Sequence, residues 1–245
     1  MSCSRAAGAR AAPRRPALEG DLPLHELARL RHAVYRVLTT VLLYPDAEWI
    51  AILPRVAGEL LAETRPLSRF AFWPAWEGLL RSLRGMEGAD RAALEAAYVG
   101  AFMVSPDGAP SLPYESAYYP PEAVGEVLAS LDQEYARAGF SVASSFKEPP
   151  DHAAVELEFM GLLCQEEAEM WEREDLAGSV ERLRREQRFL ERHLARWFPE
   201  FARRAAELDG GAFYGLATGA ARDFLAHDVD LVAALLGRYR EGAGT

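Results

Sequence analysis

Asp151, His152 and Glu156 fall within six residues of one another in the stretch SFKEPPDHAAVELEFMGLLC, which runs from Ser145 to Cys164. An imidazole and a carboxylate four residues apart share one helix face, where they could hold a metal ion or exchange a proton. No second histidine-plus-carboxylate pair at matching spacing supplies further ligands, so the plainer reading is a first-turn histidine beside an ordinary helix pair. Glu156 and Glu158 are two apart and point to different faces, so they are not a paired-carboxylate site. Cys164 stands mid-helix in apolar company, which raises a thiol's pKa and makes it inert. The chain has no Gly-x-Ser-x-Gly nucleophile turn, and Gly210-Gly211 is too short, and lacks the lysine, for a phosphate loop. His193 and His227 are isolated and read as surface or helix-end residues. Glu166-Glu167 and the acidic run from Glu200 to Glu207 read as solvated faces.

These residues need a scaffold, and the periodicity predicts a helical one. Glu148-Pro149-Pro150 is extended, because proline fixes its own φ and keeps the preceding residue out of the helical region. A helix then follows, with Asp151 as its cap and Val155, Phe159, Leu162 and Leu163 on one stripe. Leu157, Met160 and Cys164 form a second stripe, so other helices should surround it. Upstream, Leu27, Leu30, Val34, Val37, Leu38 and Val41 share the face of a helix that stops before Pro45. Asp46 opens the next element, and Pro54 divides it, since an interior proline costs about 3 kcal/mol. Further helices begin at Pro74, at Asp90 and at Pro121, the last closed by Gly139. Between them, Ser105 to Pro121 is a proline- and tyrosine-rich loop, and a connection longer than about 12 residues is often functional. Later helices run from Leu176 to before Pro199, from Pro199 to Glu207, and from Phe213 to Arg240. No period-2 run and no internal repeat appears. The expected fold is all-α, one compact domain of about eight to ten helices over residues 22–241, with a disordered Ala/Arg/Pro-rich tail at 1–21 and a disordered end at 242–245.

Composition narrows the function. Half of the 245 residues are hydrophobic, which excludes a wholly disordered chain. The formal net charge of -10 disfavours nucleic-acid binding through a general basic surface and favours basic partners. Cys3 and Cys164 are not expected to meet and no zinc spacing exists, which suits a reducing compartment. No apolar run approaches the roughly 20 residues that span a bilayer. Arg14-Arg15 is followed by Pro16-Ala17-Leu18-Glu19-Gly20, which is not an apolar export segment, so the protein is expected in the cytoplasm.

What remains is a recognition surface. Tyr98 and Phe102 end one helix, Pro113, Tyr114 and Glu115 lie in the long loop, and Pro149, Asp151 and His152 open another helix. Aromatic rings and prolines offer rigid apolar contact, and carboxylates accept arginine. The same residues also fit a core cluster with capping groups, and composition does not separate the two readings.

Taken together, these segments resemble the TorD/DmsD family of molybdoenzyme maturation chaperones, from about Leu27 to Arg204. Glu148-Pro149-Pro150-Asp151-His152 is similar to the family's Glu-Pro-x-Asp-His motif at every fixed position. Leu112-Pro113-Tyr114-Glu115-Ser116 resembles its Pro-aromatic-Glu-Ser loop, and His193 to Pro199 its late helix-to-helix corner. One element departs: Tyr98-Val99-Gly100-Ala101-Phe102 carries Ala101 where the family's aromatic-x-x-Leu-Phe motif has leucine. The resemblance implies a TorD-like, all-helical chaperone in the cytoplasm that is no enzyme and needs no cofactor. It implies binding of the twin-arginine signal peptide of a molybdenum-cofactor oxidoreductase, whose apoenzyme is held until cofactor insertion. Carried over by position, peptide contacts fall at Tyr98, Phe102, Pro113, Tyr114, Glu115, Pro149, Asp151 and His152. The partners would be the molybdoenzyme catalytic subunit and its signal peptide, with no nucleic acid and no membrane insertion, the chaperone being a monomer or a homodimer. The competing reading is a helical metal-dependent enzyme using His152 and Glu156.

Overall fold

A computed structural model describes residues 22–103, 111–142, 148–208 and 212–241. The expected tails at 1–21 and 242–245, the first part of the proline-rich loop and the Gly210-Gly211 break lie outside the described residues. Among these are nine helices and no strand: α1 (Leu24–Val41), α2 (Ala47–Glu63), α3 (Trp73–Gly85), α4 (Arg91–Phe102), α5 (Val124–Arg137), α6 (Ala153–Glu172), α7 (Leu176–Arg192), α8 (Leu194–Leu208) and α9 (Phe213–Glu241). The all-α expectation is met. No helix among the described residues is long and apolar enough to cross a membrane.

Local chemistry sets many of the ends. Asp46 caps α2 by accepting from Glu48 N and Trp49 N, and Asp90 caps α4 by accepting from Ala92 N. Pro74 sits in the first turn of α3. Gly139 takes φ 71 just past α5, where its N–H reaches the Ala136 carbonyl and the Phe140 N–H reaches that of Tyr135. The Phe140 and Tyr135 rings then meet at 5.1 Å, closing the turn with an apolar contact.

Two expected breaks are absent. Pro54 lies inside α2 and Pro199 inside α8. In each helix the buried face continues past the proline, with Trp49, Leu53 and Ala57 in α2 and Trp197, Phe198, Phe201 and Ala202 in α8. Burial at about 25 cal/mol per Å² over that face outweighs one lost hydrogen bond.

At the centre α1 and α6 run antiparallel. Arg29 pairs with Glu172, Arg31 with Glu167, and His32 Nδ1 lies 2.8 Å from the Gly161 carbonyl. Gly161 allows this approach, since a Cβ there would meet Tyr35 Cβ at 3.3 Å. Helices α7, α8 and α9 close around the pair, and α2 with α3 cover the remaining side. One continuous core results, with eight residues of α6 in it and thirteen of that helix buried. Leu162, expected on its buried stripe, is instead 38% exposed.

Candidate functional site

The start of α6 is pinned to the loop by a single antiparallel bridge between Tyr114 and His152. Glu115 N donates to the Asp151 carbonyl at 2.9 Å, and Ala153 N donates to the Pro113 carbonyl at 2.7 Å. The Asp151 carboxylate accepts from Ser116 N at 3.1 Å, so it holds the loop and does not cap the helix as the sequence suggested. The cap is His152, whose Nδ1 accepts from Ala154 N at 3.1 Å. The proton of the neutral ring therefore sits on Nε2, which is buried and has no partner among the described residues. Burial lowers the His152 pKa to about 4, against the pull of the Glu148 and Asp151 carboxylates.

The proline corner is held as rigidly as expected. Pro149 and Pro150 lend their carbonyls to His152 N at 3.1 Å and to the Tyr135 hydroxyl at 2.8 Å. Immediately outside this frame, the Tyr114 hydroxyl donates to Glu148 Oε2 at 2.7 Å while the Tyr114 ring stands edge-on to His152 at 5.1 Å. Glu148, Tyr114 and Tyr44 are the ionisable neighbours of the Tyr98 hydroxyl. Burial first, and then the Glu148 carboxylate, raise the Tyr98 and Tyr114 phenols above their usual range.

The structure thus brings the eight anticipated residues together in two layers. Tyr114 is half-buried and Pro149 exposed, whereas Tyr98, Phe102, Pro113, Glu115, Asp151 and His152 are buried. Tyr98 and Phe102 belong to an aromatic stack with Tyr214 and Phe201, with centroids 4.9 to 5.5 Å apart. They form the floor beneath the surface residues. Two surface residues outside the anticipated set complete the outer layer. Tyr44, 44% exposed, packs on Tyr98 at 5.3 Å, and Glu148 supplies the only carboxylate of the motif that is part-exposed. The signal for Glu148 was present in the motif itself; the one for Tyr44 was not, because it lies 54 residues before Tyr98 in the sequence.

Beneath the loop lies a second polar layer. His193 ends α7, the helix-end half of its reading, but it is buried and joins Glu115 through Nδ1 at 2.8 Å and Ser130 Oγ through Nε2 at 3.2 Å. His227 is half-buried against Phe70 and Phe72. Glu156 is fully buried and accepts from Trp197 Nε1 at 3.2 Å. Burial, reinforced by the nearby Glu115 carboxylate, raises the Glu156 pKa well above the usual carboxylate range. His152 Nδ1 is thus committed to the cap and Glu156 Oε2 to Trp197, which ties the head of α6 to α8.

An all-α protein whose irregular loop is bridged to the head of its central helix is the class that fold and site define. A family model described as nitrate reductase delta subunit matches residues 69–203. The selenate reductase assembly chaperone protein of Thauera selenatis is 38% identical over 129 residues, covering 51% of this chain and 65% of that protein. The chaperone protein TorD of Aliivibrio fischeri is 31% identical over 178 residues, 71% of this chain and 78% of that protein. A solved structure, a putative redox enzyme maturation protein from Archaeoglobus fulgidus, aligns with a TM-score of 0.45 at 22% identity over 86% of this chain and 99% of that one. The chain belongs to the nitrate reductase delta subunit family, the TorD-like group of molybdoenzyme maturation chaperones.

Proposed function

We propose that this protein is a cytoplasmic chaperone for a molybdenum-cofactor oxidoreductase, binding its twin-arginine signal peptide and holding the apoenzyme until cofactor is inserted. The chain performs no catalysis of its own in this reading. The observation that carries it is the outer layer at the head of α6, where the part-exposed Glu148 carboxylate stands among Tyr44, Tyr98 and Tyr114 beside the exposed Pro149. Tyr114 occupies Oε2, and Oε1 has no partner among the described residues. A guanidinium can bond that oxygen while lying over a tyrosine ring, a combination that an ammonium matches less well. The rings and Pro149 then offer apolar contact to the residues beside the arginines. Support comes also from relatives named chaperone protein TorD and selenate reductase assembly chaperone protein.

The peptide contacts therefore divide. Glu148, Tyr114, Tyr44 and Pro149 meet the peptide, while Tyr98, Phe102, Pro113, Glu115, Asp151 and His152 hold them in place. Calorimetric titration with a molybdoenzyme signal peptide and with its twin-lysine version tests this. The arginine peptide should bind, the lysine peptide about tenfold more weakly, and Glu148→Gln should remove most of that difference. No binding of any molybdoenzyme signal peptide from the same genome would overturn the reading.

A further inference from the structure

Far along α6 from that surface, Arg31 lies in a buried cluster with three carboxylates, Glu167, Glu186 and Asp228, all at most 1% exposed. Arg31 Nε and Nη2 donate to the two oxygens of Asp228 at 2.6 and 3.0 Å, and the Tyr35 hydroxyl adds a third bond at 2.7 Å. Glu167 receives Arg31 Nη1 on one oxygen and Trp171 Nε1 on the other, at 2.6 and 2.7 Å. Glu186 receives Arg31 Nη2 on Oε2 at 2.5 Å, whereas its Oε1 is buried with no partner among the described residues. One guanidinium faces three carboxylates, so the ionised cluster carries two negative charges in excess. An excess of that size away from water has to be neutralised.

Cys164 stands one helical turn before Glu167, fully buried on the same face. Ligand atoms of Cys164, Glu167 and Glu186 all lie within 4.8 Å of one another. An ion at about 2.3 Å from sulfur and about 2.0 to 2.2 Å from oxygen holds its ligands about 3.4 to 3.7 Å apart, so the three groups must draw inward by up to about 1 Å to close the site. We propose that Cys164, Glu167 and Glu186 bind one divalent transition-metal ion, zinc above all, as a structural centre joining α6 to α7. The Glu186 oxygen without a partner among the described residues is the ligand that Arg31 leaves free, whereas Glu167 would bind through the remaining lone pair of an oxygen already held by Arg31 or Trp171. A thiolate selects zinc over magnesium or calcium, and a divalent charge offsets two of the three negative charges present in excess once the thiolate forms. Burial raises the pKa of Cys164 and Glu186, so binding displaces the thiol proton and whatever protons neutralise the cluster without metal. All three ligands are buried, so the ion enters during folding, and its fourth position is left to a water or to a second carboxylate oxygen.

The test refolds the full chain, carrying Cys3→Ser, in excess zinc or cobalt, removes loose ions by dialysis and counts metal by plasma mass spectrometry. About one ion per chain is expected, falling to background in Cys164→Ser and in Glu186→Gln at unchanged far-ultraviolet dichroism. The cobalt form should show a thiolate-to-metal absorption band that Cys164→Ser abolishes. Refolded protein without bound metal, or metal retained equally by both variants, overturns the proposal. Should a variant lose its helix content, the cobalt spectrum of the parent decides alone, and a fully helical protein lacking the thiolate band overturns it.

Discussion

Glu115 and His193 stand 78 residues apart in the chain and 2.8 Å apart in the fold, both buried, one in the loop and the other at the junction of α7 and α8. This bond, with Ser130 on the far ring nitrogen, fastens the proline-rich loop to the helical body from below, as the Tyr114–His152 bridge fastens it from the side.

Glu115→Ala strands a buried imidazole nitrogen, and a loss of about 2–3 kcal/mol is expected in urea unfolding. Because His193 and Glu115 act on one bond, the double variant with His193→Ala should lose less than the sum of the single losses, by about 1 kcal/mol or more. Additive losses would show that the two side chains stabilise the fold separately.

The histidine cap predicts a pH dependence. His152 has a folded pKa of about 4 against an ordinary 6.5, so between those values the unfolded chain takes up a proton that the native protein refuses. Stability contributed by the neutral ring is complete above pH 6.5 and is lost as pH falls towards 4, about 2 kcal/mol of it between pH 7.5 and 5. His152→Asn keeps a capping acceptor but does not titrate. Urea midpoints at pH 7.5 and 5 should therefore converge for the variant relative to the parent. An equal fall in both proteins would assign the pH dependence to other groups.

A third expectation concerns two helix ends of the same design. Past α5 the left-handed position is filled by Gly139, and past α6 by Glu174 at φ 58, where Glu174 N reaches the Trp171 carbonyl and Asp175 N that of Met170. A side chain at this conformation costs about 1 kcal/mol. Glu174→Gly should raise the thermal midpoint, and Gly139→Ala should lower it. A Glu174→Gly variant less stable than the parent would mean that the exposed glutamate makes a contribution beyond its backbone.

Much of the architecture could be read from residues alone, because caps, periodicity and turn glycines act within four or five positions. Asp46, Asp90, Pro74 and Gly139 each end or begin a helix where the sequence says, and α1 keeps its predicted face. The same local rules misplace the breaks at Pro54 and Pro199, where burial of a continuing face overrides the proline.

The site divides along the same line. The sequence pointed to the motif from Glu148 to His152 and to the loop around Tyr114, which the fold joins, because each is a contiguous run with its own chemistry; it held no sign of Tyr44. Which member does what was not legible. Asp151 has the better capping side chain, yet the bridge to the loop turns it towards Ser116 and leaves the cap to His152. Glu167 reads as part of a solvated face and His193 as a surface or helix-end residue, yet both are buried, with partners 136 and 78 positions away. Residue type and spacing decided the helices and the frame of the site. Burial, which sets pKa values and leaves an oxygen such as Glu186 Oε1 without a partner, depends on distant segments meeting, and only the tertiary structure decided it.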